Sequence, residues 1–191
     1  MKLNIFNIFP IEIFVEENFL SPSQCKDIFG KIISERKEDH MLLHGDAKSS
    51  YMSGDSQGFL TKTNIPDLYQ KLQERVDYYS NQCNIYPNKI SFSWCNVQNK
   101  DSQLDMHAHG FSALSGVLYI NVDDQSSTLD FLNPNYSIFQ FNIDPKSYVF
   151  KLQPKIGTLI IFPSWLVHGN WGTNINKTEN RAIISFNTRA I

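Results

Sequence analysis

The sequence predicts an α+β fold that is mainly β, with helices bracing one side of an antiparallel sandwich or barrel. Three observations carry this expectation. Helical spacing of apolar residues is confined to the first half of the chain, and from Lys89 onward short apolar runs alternate with turn residues. Helices followed by strands is the order in which helices segregate to one side of an antiparallel sheet. The 14 Phe and 8 Tyr favour strands, where aromatic side chains pack well on a pleated surface.

The elements follow in order. Ile11–Val15 reads as a first strand. Ser21-Pro22-Ser23-Gln24 is a capping box with Pro at the first helical position. Cys25, Ile28, Phe29, Ile32 and Ile33 then recur at helical spacing, giving that helix one apolar face. The polar stretch from His40 to Thr63, with Ser53-Gly54-Asp55 and Gly58, reads as a loop with a short strand at its end. A second helix starts near Pro66, and Ile65, Leu68, Tyr69, Leu72, Val76, Tyr79 and Cys83 mark its buried side. Six strands are then expected: Ile90–Val97, Leu114–Val122, Ser127–Phe131, Ser147–Leu152, Thr158–Phe162 and Ala182–Asn187.

The chain of 191 residues can bury a substantial core. With no repeat, linker or low-complexity tail, residues 1–191 form one expected domain. A net charge of -2 without a basic stripe leaves no footprint for a nucleic-acid backbone. No apolar run approaches the roughly 20 residues of a membrane span. The apolar start, Met1–Pro10, is broken by Asn and Pro and lacks a small-residue cleavage site, so no signal peptide is expected. Three widely spaced cysteines, Cys25, Cys83 and Cys95, without a Cys-x-x-Cys, fit free thiols in a reducing, cytoplasmic setting. The sequence leaves a homodimer open.

Two half-motifs in the second half carry the chemistry. His107-Ala108-His109 puts two imidazoles on one face if the segment is extended, about 6.6 Å apart along a strand. His168 follows the apolar run Thr158–Phe162 and offers a third ligand from another direction. Imidazole suits Fe, Zn, Cu and Ni, and three protein ligands leave positions open, as catalytic metals require. Taken singly, His107, His109 and His168 are also what ordinary surface or core histidines look like. His40 and His44, in the polar stretch, are read that way. The strand Arg181–Asn187 turns Arg181, Ile183, Ser185 and Asn187 to one face and Ala182, Ile184 and Phe186 to the other. An inward Arg suits a carboxylate, because its planar fork donates two parallel hydrogen bonds. Tyr119 shares a face with Val117 and Asn121, where its hydroxyl can meet the same anion. From the strand alone, a polar face turned to water with Arg181 in a rim salt bridge is slightly the better fit.

Together these pieces resemble the Fe(II)- and 2-oxoglutarate-dependent oxygenases. The resemblance rests on His107-Ala108-His109, Tyr119-Ile120-Asn121, Ser127–Phe131, Pro154-Lys155-Ile156-Gly157, His168 and Arg181. Leu114–Tyr119 and Phe162–His168 are similar to stretches in the branch found in bacteria and their phages. The resemblance covers roughly Trp94 to Asn187, together with the Glu17–Ser21 entry to the first helix. It implies a double-stranded β-helix (jelly-roll) core with N-terminal supporting helices, Fe(II) as the metal, and 2-oxoglutarate as co-substrate. The reaction implied is dioxygenase chemistry, a hydroxylation coupled to oxidative decarboxylation of 2-oxoglutarate, on a substrate that the sequence does not identify. It also implies that His107, His109 and His168 ligate iron. Arg181 then holds the C5 carboxylate, with Tyr119 and Ser185 beside it, and Asn96 contacts the C1 end. His109 departs from the wider family, which has Asp there; Asp105, two residues before His107, is the second candidate for that position. Trp165, Trp171 and the His40–Thr63 stretch are candidates to wall the substrate side. Two further readings compete: a three-His cupin-like iron dioxygenase without 2-oxoglutarate, and a non-catalytic jelly-roll binding module. An inward role for Arg181 separates the first reading from the cupin-like one, and intact His107, His109, His168 and Arg181 argue against a non-catalytic module.

Overall fold

The first helix is closed by its own side chains. Ser21 Oγ accepts the Gln24 N–H at 3.3 Å while Gln24 Oε1 accepts the Ser21 N–H at 2.9 Å. Helix α1 then runs Pro22–Glu35 and buries Cys25, Ile28 and Ile32. The computed structural model describes residues 10–35, 38–51, 58–63, 65, 67–135 and 148–191. Pro66, the Ser53-Gly54-Asp55 turn and Ser147 lie outside the described residues. Helix α2 is Gly58–Lys62 and α3 is Leu68–Gln82. The strands are β1 (Phe14–Glu16), β2 (Leu43–His44), β3 (Ala47–Ser49), β4 (Asn88–Gln98), β5 (Gln103–Leu104) and β6 (Leu114–Asn121). They continue with β7 (Leu129–Leu132), β8 (Val149–Leu152), β9 (Leu159–Pro163), β10 (His168–Gly169) and β11 (Arg181–Ala190).

A six-stranded sheet, ordered β1-β9-β6-β11-β4-β3, faces a smaller one ordered β10-β7-β8, with β2-β5 as a two-stranded ribbon. All strand pairs are antiparallel. The small sheet is prolonged past β10 by a bridge between His107 and His168. The six-stranded sheet is apolar on both faces. Its outer face (Cys95, Val97, Leu118, Leu159, Ile161, Ile184 and Phe186) packs on the buried stripes of all three helices. From its inner face, Val117, Tyr119, Ile160, Phe162 and Ile183 meet Leu129, Phe131 and Leu166. A continuous alternation along each strand therefore feeds two cores at once.

The polar stretch from His40 to Thr63 is not a plain loop. It carries β2 and β3, and its end is the helix α2 rather than the expected strand. Tertiary packing decides this: Phe59 and Leu60 are buried against the sheet, and Ser93 Oγ accepts the Leu60 N–H at 2.9 Å. The strands expected from the sequence are present with shifted ends. The two-residue strands β2, β5 and β10 are too short to leave a periodic signal. All three cysteines are free thiols. Among the described residues, no helix is long and apolar enough to cross a membrane.

Phe186 on β11 lies opposite Gly116 on β6, and its ring occupies the space where a side chain would begin. A Cβ on Gly116 would stand 2.1 Å from the ring tip, and the ring is fully buried. Gly116→Ala should therefore cost about 1–3 kcal/mol through overpacking and lower the thermal midpoint by roughly 3–10 °C. An unchanged melting curve would show that the ring is free to move aside.

Candidate metal and anion site

The two sheets enclose a cavity of about 450 Å³. Its floor is the inner face of β4, β11 and β6, whose register sets side chains in rows: Arg181 beside Gln98, Ile183 between Asn96 and Tyr119, Ser185 between Trp94 and Val117, Asn187 between Phe92 and Ser115. Its roof is the segment 104–110 with the start of β10. These two pieces are joined by reciprocal backbone bonds: the His107 N–H donates to the His168 carbonyl and the His168 N–H to the His107 carbonyl, both at 2.9 Å. His109 N–H donates to the Ser164 carbonyl at 2.9 Å. Asn170 adds its side chain, accepting the Leu104 N–H at 2.8 Å and donating to the Thr128 carbonyl at 2.9 Å. The approach is close enough to need glycine: Gly169 has φ 154°, and a Cβ there would lie 2.5 Å from the Asp105 carbonyl oxygen.

His107, His109 and His168 converge in this roof, each with a ring nitrogen within 4.8 Å of the others'. Their Nδ1 atoms are all engaged outward. Those of His107 and His168 lie 2.8 Å from the carbonyls of Asp105 and Leu166, and that of His109 lies 2.8 Å from Asn187 Oδ1. A carbonyl or amide oxygen only accepts, so each Nδ1 carries the proton and each Nε2 keeps its lone pair. His109 Nε2 is buried with no hydrogen-bond partner. Three unprotonated imidazole nitrogens facing one another, on two half-buried rings (His107, His109) and one buried ring (His168), form a donor set that fits a transition-metal ion. Burial holds the rings neutral: it lowers the pKa of His107, and with the neighbouring His107 charge it lowers His109 to about 4 and His168 to about 3.

The anion end is built on Arg181, which is 4% exposed. Its Nη1 donates to Gln98 Oε1, its Cζ lies 5.6 Å from the Tyr119 ring centroid, and its Nε has no partner. Among the described residues no carboxylate pairs with it. Tyr119 OH and Asn96 Oδ1 are likewise buried and unpaired, and Ser185 is buried in the same lining. Burial pulls the Arg181 pKa below its ordinary value and pushes Tyr119 up to about 12. The face turned to water that the sequence allowed for Arg181 is thus not what the fold makes. A buried cation whose own Nε is an idle donor, with Tyr119 OH and Gln98 Nε2 idle beside it, calls for an anion.

Asp105 faces elsewhere. Its carboxylate stands 2.8 Å from His44 Nε2, and only its backbone carbonyl reaches His107. Trp165 and Trp171 do not line the cavity; the tryptophan there is Trp94, stacked against His109 at 5.9 Å and 26°. His40, Met41, Tyr51 and Phe111 form the outer lining. The sequence did carry a signal for Gln98, two residues beyond Asn96 on one strand face. It carried none for His40, which a polar stretch brings to the mouth.

The model of the family described as "Putative 2OG-Fe(II) oxygenase" matches residues 92–187, half of the chain. No curated protein matches the chain. Among solved structures, a Pseudomonas putida prolyl-4-hydroxylase is 10% identical with TM-score 0.63, over 94% of this chain and 93% of that one. An oxidoreductase of the 2OG-Fe(II) oxygenase family from Burkholderia pseudomallei is 12% identical with TM-score 0.65, over 92% and 84%. HygX from Streptomyces hygroscopicus, with nickel and 2-oxoglutarate bound, is 9% identical with TM-score 0.64, over 93% and 82%. At these identities the likeness is one of fold, the jelly roll with supporting helices.

The depressed histidines set a pH dependence for the metal-free protein. Unfolded, each imidazole takes up a proton near its ordinary value of 6.5; folded, His109 and His168 resist until about 4 and about 3. The unfolded state binds more protons in that window, so stability is complete above pH 7 and falls as the pH drops through 6.5 toward 4. Between pH 7 and 5, His168 alone should account for a loss of roughly 2 kcal/mol. Thermal melts across this range should fall steeply for wild type and less steeply for His168→Gln; parallel curves would contradict the buried neutral ring.

Proposed function

Because the chain belongs to the 2OG-Fe(II) oxygenase family, we propose that His107, His109 and His168 hold its Fe(II) through Nε2 and that Arg181 holds the far carboxylate of its co-substrate 2-oxoglutarate. The family match sets the chain apart from the cupin-like and non-catalytic readings. The observation that carries the residue assignment is the pairing of three converging Nε2 atoms with a buried guanidinium that lacks a carboxylate partner among the described residues. His109, not Asp105, is the third ligand in this reading, since the Asp105 carboxylate is engaged by His44. Bound there, iron would supply the redox chemistry that couples decarboxylation of 2-oxoglutarate to oxidation of a substrate. The chain's own work is orientation. Arg181 gives the C5 carboxylate two parallel donors, Tyr119 OH and Ser185 lie beside it, and Asn96 is placed nearer the triad for the C1 end. Ile183, Val117 and Phe162 keep the inner cavity dry, which strengthens these charged contacts.

The test is iron stoichiometry and 2-oxoglutarate affinity under nitrogen, the latter followed by the metal-to-ligand charge-transfer band. His168→Ala should lose iron. Arg181→Ala should keep iron and bind 2-oxoglutarate about two decades more weakly, as expected for losing about 3 kcal/mol of charge-assisted contact. Iron retained in full by His168→Ala would sink the triad, and an unchanged 2-oxoglutarate affinity in Arg181→Ala would sink the carboxylate site.

The outer lining also bears on the substrate. Among the described residues that line the cavity there is no Asp, Glu or Lys, and the one Arg sits at the inner end. Trp94, Tyr51, Met41 and Phe111 present apolar surface instead, and the group that meets the iron is accordingly uncharged. With iron and 2-oxoglutarate bound, benzyl alcohol should quench Trp fluorescence at concentrations at least tenfold below those needed for benzoate or benzylamine. Equal or tighter binding of either charged probe would refute the neutral substrate end.

A further inference from the structure

The position where the wider family resemblance leads one to expect a carboxylate ligand holds His109 here, and a short relay of polar side chains, half-buried at Asn187 and buried beyond it, surrounds that ring. Its Nδ1 lies 2.8 Å from Asn187 Oδ1. The same oxygen accepts from Ser115 Oγ at 2.8 Å, and Ser115 Oγ lies 2.8 Å from Ser164 Oγ. With the Ser115 proton spent on Asn187, Ser115 accepts the proton of Ser164. Ser164 returns to the start, since its carbonyl accepts the His109 N–H at 2.9 Å. Ser115 and Ser164 are buried, at 3% and 0% exposure. Asn187 sits where β11 shifts register against β4, a bulge of the kind that re-aims a side chain.

This closed ring has a chemical consequence that the other two histidines do not need. His107 and His168 rest on backbone carbonyls, which can only accept. Asn187 has both an acceptor and a donor, and an amide turned over would offer its NH₂ to Nδ1. The imidazole proton would then move to Nε2 and the ring would point a donor at the metal position. The heading that turns Oδ1 to the ring keeps the proton on Nδ1, and Ser115 supports it by donating to the same oxygen.

We propose that Asn187, held by Ser115 and Ser164, is a positioning residue that fixes the tautomer and heading of His109 and thereby lets a histidine take this place in the metal site. The inference rests on the three-histidine reading. Hydrogen-bond partners behind a metal-bound histidine are worth typically 10–100-fold in metal affinity.

The experiment measures Co(II) dissociation constants by chelator competition, with the visible spectrum of bound Co(II) as a second readout. Asn187→Leu keeps the side chain's shape but has no acceptor; it should bind Co(II) 10–100-fold more weakly, with an altered spectrum. The metal-free protein should melt within a few degrees of wild type. Asn187→Asp, whose oxygens only accept, should restore affinity to within tenfold and the spectrum with it. Ser115→Ala leaves the histidine's partner in place but removes the donor that shares its oxygen, and should weaken Co(II) at least threefold; it carries the test if Asn187→Leu does not fold. Wild-type affinity in Asn187→Leu or Ser115→Ala, or an Asn187→Asp as weak as Asn187→Leu, overturns the inference. His168→Ala separates the two levels. If it loses Co(II) while Asn187→Leu does not, only the positioning role fails; if it binds Co(II) like wild type, the triad fails and this inference with it.

Discussion

A guanidinium sealed inside a protein, without a counter-charge among the described residues, is the constraint around which this molecule is arranged. Desolvating such an ion costs several kcal/mol, and Arg181 recovers only part of it from one amide oxygen and the face of Tyr119. Tyr119 cannot share a negative charge with it either, because burial keeps the phenol protonated. The deficit is tolerable because β11 is central in its sheet, paired with β4 from Arg181 to Ala190 and with β6 from Ala182 to Asn187. The strand cannot yield to let the cation out, so the cost is stored as affinity for an anion of matching shape. The same strand carries Ile184 and Phe186 into the helix-backed core, which anchors it from behind.

At the opposite end the logic is reversed. The histidines are kept uncharged, and their hydrogen-bonding capacity is divided so that one nitrogen of each ring serves the protein and the other is left idle. Backbone pairing between His107 and His168 means that two of the three rings are positioned by strand geometry before any ion arrives. The third depends on side chains. A site assembled this way gives up little conformational entropy on binding, since its parts are already held. Between the two ends, the stacked rings of Phe92, Trp94 and His109 form a wall that leads outward from the metal position.

Much of this was legible in the sequence, for identifiable reasons. Period-two alternation in Arg181–Asn187 places Arg181, Ser185 and Asn187 on one face without reference to any neighbour, and the pleat realises it. The reciprocal Ser21–Gln24 bonds follow from two residues at a fixed spacing. The spacing of His107 and His109 survives although only His107 itself forms a bridge. What could not be read depends on distant partners. The helix Gly58–Lys62 exists because the sheet buries Phe59 and Leu60, and no local periodicity announces five residues. Asp105 and His107 are two apart and share a face on paper. The irregular backbone around Asp105 turns its carboxylate to His44, a partner some sixty residues away in the chain. The choice of Trp94 over Trp165 and Trp171 is likewise a matter of which strand face meets the cavity, which the pattern of one tryptophan cannot reveal.

The double allegiance of β11 has an evolutionary corollary. Every residue from Ala182 to Asn187 belongs either to the helix-backed core or to the cavity, so the strand has no idle position at which change is free. Gaining or losing one residue there would exchange the two sets, driving Phe186 into the cavity and the guanidinium into oil. Length variation among descendants of this gene must therefore accumulate in the connections rather than in this strand. New substrates would be acquired by rebuilding the rim around an inner chamber that inheritance leaves alone.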